Sequence, residues 1–153
     1  MKIFIMIMIL MLELNAMGQD MIVGRWQALT QTVNNGTKTI EKEYLHLNAD
    51  HTFSIILLVS IQKDDAYIKD LHIEGSGIWK VRDNTLVIVI KQVEMPVAKE
   101  VYRISQESLE NLAANFKRKF QNEPIRIIII KNIEANHFTT INEEQKETSY
   151  LRQ

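Results

Sequence analysis

The side chains able to do chemistry in this chain of 153 residues are few, and their spacing keeps them apart. Histidines stand at His46, His51, His72 and His137. No two have the i, i+2 strand spacing or the i, i+4 helix spacing that sets two imidazoles on one metal ion. They read as unrelated surface or edge residues. The absence of cysteine excludes a thiolate nucleophile, a zinc site built on sulfur and a disulfide framework. Asp64-Asp65 and Glu143-Glu144 are adjacent pairs in turn segments, where neighbouring side chains point apart and stay solvated, which makes a poor acid–base couple. Gly75-Ser76-Gly77 lacks the strand–turn–helix surroundings of a nucleophile elbow and reads as a strand with close backbone approach. No enzyme activity, metal or cofactor is expected. With 18 basic and 19 acidic residues the net charge is −1, which gives no electrostatic case for nucleic acid or an acidic membrane surface.

The N-terminal segment has the pattern of an export signal. Met1-Lys2 is a short basic start, Ile3 to Leu12 is an unbroken apolar run, and Ala16-Met17-Gly18 offers small residues where a signal peptidase reads. A helix spanning the hydrocarbon core needs about 20 apolar residues, more than this run supplies. The expectation is a signal peptide over 1–18, cleaved before Gln19. It leaves one domain over 19–153, exported to a periplasm or secreted. The mature form then carries no membrane span and, lacking a cysteine at the cleavage point, no lipid anchor there.

Past residue 18 the chain favours isoleucine and valine over leucine and alanine. β-branched side chains are stiff about χ1 and suit a pleated surface. Short apolar runs alternate with turn-forming clusters such as Asn34-Asn35-Gly36, Asn48-Ala49-Asp50-His51, Lys63-Asp64-Asp65, Arg82-Asp83-Asn84, Glu134-Ala135-Asn136 and Asn142-Glu143-Glu144. Strands are predicted near 22–31, 40–48, 52–61, 67–81 (one strand or two), 85–94, 97–104, 125–133, 137–142 and 146–152. Regular short strands with tight turns point to an antiparallel barrel or sandwich.

One segment departs from that pattern. Leu109, Leu112, Ala113, Phe116 and Phe120 recur at helical spacing, Ser105 offers an N-cap, and Lys117-Arg118-Lys119 falls in the last turn, where the helix dipole favours cations. The triplet reads as a solvated helix end rather than a phosphate site. A helix is therefore predicted over about 105–121, stopped by Pro124. Phe53–Val59, Leu86–Ile90 and Ile127–Ile130 are apolar at nearly every position, hence on both strand faces. The amphipathic helix is expected outside the barrel, covering the outer face of these strands with Leu109, Leu112, Phe116 and Phe120.

An ordered series of motifs then stands out. Gly24-Arg25-Trp26 opens the first strand, and Tyr44 to Phe53 forms a hairpin around Asp50-His51-Thr52-Phe53. Gly75-Ser76-Gly77-Ile78-Trp79 precedes an Asn84-Thr85-Leu86 turn, and Tyr150-Leu151-Arg152 closes the chain. Across 19–153 this series resembles the small bacterial secreted lipocalin-like domains, with Asp50-His51 where their hairpin carries Asp-Gly. The resemblance implies a calycin-like, up-and-down antiparallel barrel of about eight to nine strands. It also implies barrel closure by Gly24, Trp26 and Arg152, with Arg152 stacked on the Trp26 indole, and at most a habit of ligand binding.

Two functional expectations follow. One is a non-catalytic binding protein that takes a small apolar or amphiphilic ligand inside the barrel. Phe53 and Trp79 would line the walls, Gly75 and Gly77 would leave space, and Tyr44 and Tyr102 would serve as polar handles at the mouth. The alternative is an extracytoplasmic protein-interaction module, such as an inhibitor, immunity or assembly factor, using its outer sheet or loops.

Overall fold

The structure, a computed structural model, describes residues 20–94 and 96–153. The expected signal peptide over 1–18 lies outside the described residues. Nine strands and one long helix follow in order: β1 (Gly24–Asn34), β2 (Thr37–Leu47), β3 (Thr52–Lys63), β4 (Ala66–Arg82), β5 (Thr85–Val93), β6 (Val97–Tyr102), α1 (Gln106–Asn122), β7 (Ile125–Ile133), β8 (His137–Ile141) and β9 (Glu147–Arg152). The hairpin turns use residues that tolerate positive φ. Asn35 and Gly36 have φ 48° and 76°, the pair of left-handed residues a tight two-residue hairpin demands, and Asp64 and Asp83 take φ 52° and 55°. His51 (φ 67°) occupies the left-handed position where the resembled motif has glycine. Asp50 compensates by accepting from the Thr52 amide at 3.0 Å and the Thr52 hydroxyl at 2.6 Å, and these bonds hold its carboxyl below the usual range.

All strand pairs are antiparallel. The order β1-β2-β3-β4-β5-β7-β8-β9 returns to β1, which closes an eight-stranded barrel with one extra strand, β6. β4 is a single strand. Along one edge it pairs with β3; along the other, Gly75–Arg82 meet β5 and Tyr67–His72 meet β6. β6 therefore continues the line of β5 after a break, and the far ends of β2, β3, β4 and β6 extend the wall beyond the barrel as a flange. A bulge between Val59 and Ile61, with Asp70 at φ 47°, bends this flange. It is pinned by the Asp70 amide donating to the Ser60 hydroxyl at 3.0 Å.

The core is in two parts along one continuous inner surface. Trp26, Leu45, Leu47, Phe53, Trp79, Leu86, Ile88, Ile130, Phe138 and Tyr150 fill the barrel, while Val59, Ile68, Leu71 and Ile73 form a second cluster on the flange. Helix α1 starts at Ser105, whose hydroxyl accepts from the Ser108 amide at 3.1 Å. It lies outside the barrel and sets Leu109, Leu112, Phe116 and Phe120 on the flange cluster. The surface it covers differs from the expected one. Val59, Leu57 and Ile61 share a strand face with Phe53 and Ile55, so α1 caps the inner side of the flange rather than the outer face of the barrel. The reason is geometric. The lengthened strands carry apolar inner positions past the point where other barrel strands stop, and among the described residues the helix is the element that covers them. Outer positions such as Ile78, Ile125, Ile127 and Ile129 stay exposed. Among the described residues no helix is long and apolar enough to cross a membrane.

Candidate functional site

The interior of the barrel is unequal along its axis. At the end holding the starts of β1, β3, β5 and β8, aromatic rings fill it. Phe138 stacks on Tyr150 at 4.6 Å and meets Trp26 edge-on at 4.6 Å. The Trp26 indole N–H donates to the Ile22 carbonyl at 2.7 Å, and the Trp79 indole N–H donates to the Asn48 carbonyl at 3.0 Å. The Arg152 guanidinium lies 4.1 Å from the Trp26 ring centre. It donates to the carbonyls of Met21 at 2.7 Å, Val23 at 3.0 Å and Ala135 at 2.7 Å. Gly24 (φ +138°) lies so close that a Cβ there would collide with the same guanidinium. A planar cation covers an indole face and ties two separate backbone segments, 21–23 and the β7–β8 turn, through three carbonyls.

Further along the axis the inward side chains change character. β2 points Leu47, Leu45, Glu43 and Glu41 to the inside in turn, since Leu45 and Leu47 are buried and side chains alternate. Opposite Glu43 and Glu41 in the register stand Ala28 and Thr30 of β1. Thr140 of β8 is buried and donates to the Thr148 carbonyl at 3.4 Å. The Tyr150 hydroxyl donates to a Glu43 carboxylate oxygen at 2.7 Å. Desolvation raises the Glu43 carboxyl above the usual value, outweighing the lowering effect of that hydrogen bond; Glu41 adds repulsion and Lys146 offsets part of it. The Tyr150 phenol is pushed well up by the same burial, reinforced by the Glu43 charge. At the flange end, Arg126 of β7 sits opposite the buried Ile88 and under the helix, 5.4 Å from the Phe120 ring centre. Its Nε is buried without a hydrogen-bond partner among the described residues. Its Nη1 lies 3.9 Å from Glu123.

The residues expected to form a pocket are divided by this geometry. Phe53 and Trp79 point inside and are buried. Tyr44 does not: the register sets Trp26 against Leu45, so Tyr44 belongs to the outer face, opposite Gln27 and Ile56. Tyr102 is half exposed on β6, stacked on Tyr67 at 5.6 Å with Arg103 over its ring at 5.4 Å. That stack borders an open depression of about 420 Å³ on the flange, lined by Lys38, Ser60, Tyr67, Lys69 and Glu100. Gly75 and Gly77 leave no room beside Trp79. A Cβ on Gly75 would stand 3.1 Å from Ile55, and one on Gly77 would strike the Val89 carbonyl at the β4–β5 bulge. Reasoning from sequence passed over Glu43, Tyr150 and Arg126 as interior groups. The signal was present in the alternation Glu41-x-Glu43-x-Leu45-x-Leu47, but a strand register is needed to say which face is inside. Comparison with known proteins finds no matching family model and no matching curated protein.

Proposed function

We propose that this chain is an exported, non-catalytic, lipocalin-like protein that holds a small apolar or amphiphilic molecule in the flange-side half of its barrel. The single observation behind this reading is the change of lining along the axis. Past the aromatic plug the inner surface turns to short side chains, Ala28, Thr30 and Thr140, around the Glu43–Tyr150 pair, and α1 packs on the flange cluster. Apolar walls with a small number of placed polar groups are what ligand pockets are built from, and an eight-stranded barrel has the dimensions for one small ligand. Arg126, with an unused N–H beneath the helix, supplies a cation for the head of an amphiphile. The export reading rests on the tripartite pattern of residues 1–18.

The test is titration of the purified protein with an environment-sensitive hydrophobic dye bearing an anionic group, read by dye emission and by the fluorescence of Trp26 and Trp79. Saturable one-site binding that weakens about tenfold in Arg126→Ala, equal to 1.4 kcal/mol, is the expected result. Binding that survives Arg126→Ala and Ala28→Phe but disappears when an outer-face isoleucine is made charged would place the dye on the exterior and remove the proposal.

A further inference from the structure

The outer surface of the barrel carries an apolar stripe that nothing among the described residues covers. Ile78 of β4 pairs with Val89 of β5, which pairs with Ile125 of β7; Val87 pairs with Ile127, and Ile129 with Ile141 of β8. All share the outer face, and Ile125, Ile127, Ile129 and Ile78 are 55%, 44%, 39% and 41% exposed. Isolated exposed apolar residues are ordinary, but a contiguous patch across four neighbouring strands is not. The helix, the sole long apolar cover among the described residues, is engaged on the flange.

The charges at the two edges of the stripe identify the occupant. Along β4 the outward positions after Ile78 are Lys80 and Arg82, both exposed. Beyond β8, next in line after Ile141, the turn to β9 carries Glu143 and Glu144, also exposed. None of these four has an ion-pair partner among the described residues. One edge is thus basic and the opposite edge acidic, with an uncharged centre. A half-turn about an axis parallel to the strands, lying in the plane of the stripe, sets the β4 edge of one copy against the β8–β9 edge of another. Both edges are then satisfied at once. The stripe presents roughly 400 Å² of apolar side chain per copy, about half of the 800 Å² each partner contributes to a standard interface, and the charged rims supply the remainder.

We infer that this chain forms a two-fold symmetric dimer by packing the β4-β5-β7-β8 faces of two copies together, sheet on sheet, with Lys80 and Arg82 of each copy facing Glu143 and Glu144 of the other. Aligned packing of two twisted sheets within about 30° is the usual solution for such faces. The inference is independent of what the barrel holds.

Light scattering after size exclusion and sedimentation equilibrium on the purified chain test it, with thermal unfolding followed by circular dichroism to verify folding. The unmodified chain is expected to be a dimer at micromolar concentration. Ile127→Lys, at an exposed position, is expected to give a monomer with little change in melting temperature. Lys80→Glu with Arg82→Glu weakens the dimer at least about tenfold, and adding Glu143→Lys with Glu144→Lys restores it, because the reversed edges again match. A chain that stays monomeric up to the hundred-micromolar range overturns the inference. So does a dimer indifferent to Ile127→Lys, or one that the fourfold charge swap fails to restore.

Discussion

Replacing Arg152 by lysine keeps the positive charge and removes the fork. In the native structure the guanidinium makes three hydrogen bonds to backbone carbonyls and covers the Trp26 ring at 4.1 Å. A lysine ammonium placed there keeps one of those bonds. Each lost bond at this half-buried rim is worth about 0.5–1.5 kcal/mol net, and the stacking component of the cation–π contact about 0.5–1 kcal/mol. The expected destabilisation, two lost bonds and the lost stacking together, is therefore about 1.5–4 kcal/mol. For a domain of this size it lowers Tm by roughly 5–12 °C. Differential scanning calorimetry at low and high salt is the measurement. The loss persists in high salt, because the contacts are short-range and against backbone, beyond the reach of ionic screening. In a Trp26→Leu background the cost of Arg152→Lys shrinks by the share owed to the ring. If Arg152→Lys melts within about 1 °C of the unmodified chain, a difference well below 1 kcal/mol, the latch account of the barrel's closed end is refuted.

Other outcomes are expected from the same geometry. Gly77→Ala drives a methyl into the Val89 carbonyl at the β4–β5 bulge, and urea unfolding is expected to show a loss of about 2–4 kcal/mol; a neutral result means the bulge is not a fixed close approach. Glu43 gives a pH signature. Its carboxyl is raised by burial, so the unfolded chain gives up the proton first. Stability then falls as pH rises from the ordinary value of 4.5 through the raised one. Glu43→Gln removes that fall while the side-chain carbonyl still accepts from Tyr150, so its urea midpoint exceeds that of the unmodified chain at pH 8; parallel pH profiles for the two would contradict it. Phe120→Ala loosens the helix from the flange at a cost of about 1–3 kcal/mol for a half-buried ring. Hydrogen exchange is expected to quicken in α1 while β1 and β2 remain protected.

The elements themselves were legible. Every predicted strand has a counterpart, and the helix expected over 105–121 runs over Gln106–Asn122 with Ser105 as its cap. These features are local: turn residues with left-handed tolerance, apolar periodicity and a capping serine decide them within a few residues. Faces were harder to read. Phe53–Val59 and Ile127–Ile130 are apolar on both sides, so alternation gives no preference, and the helix, outside the barrel as expected, meets the flange cluster instead of the outer face of those strands. Tyr44 was a candidate handle at the mouth because a phenol can donate one hydrogen bond from an apolar wall, yet the Trp26–Leu45 register turns it outward. Glu43 was passed over because nothing local in its strand marks which face is inside. Which side is inside depends on pairing between distant segments, such as Tyr150 against Glu43, 107 residues apart. No window of neighbouring residues contains that information.

The ring is sealed by its first and last strands. Hairpins from β1 through β5 form from neighbours in the chain, but β1 meets β9 through the short register Trp26–Arg152 and Gln27–Leu151. A chain growing from a ribosome has no means of finishing the cylinder until β9 is free to pair with β1. The half-made sheet must wait with an open seam, and that seam exposes unsatisfied backbone to any other strand nearby. Loss of β9 would thus strand the molecule in that unsealed condition, a vulnerability out of proportion to the small number of atoms removed.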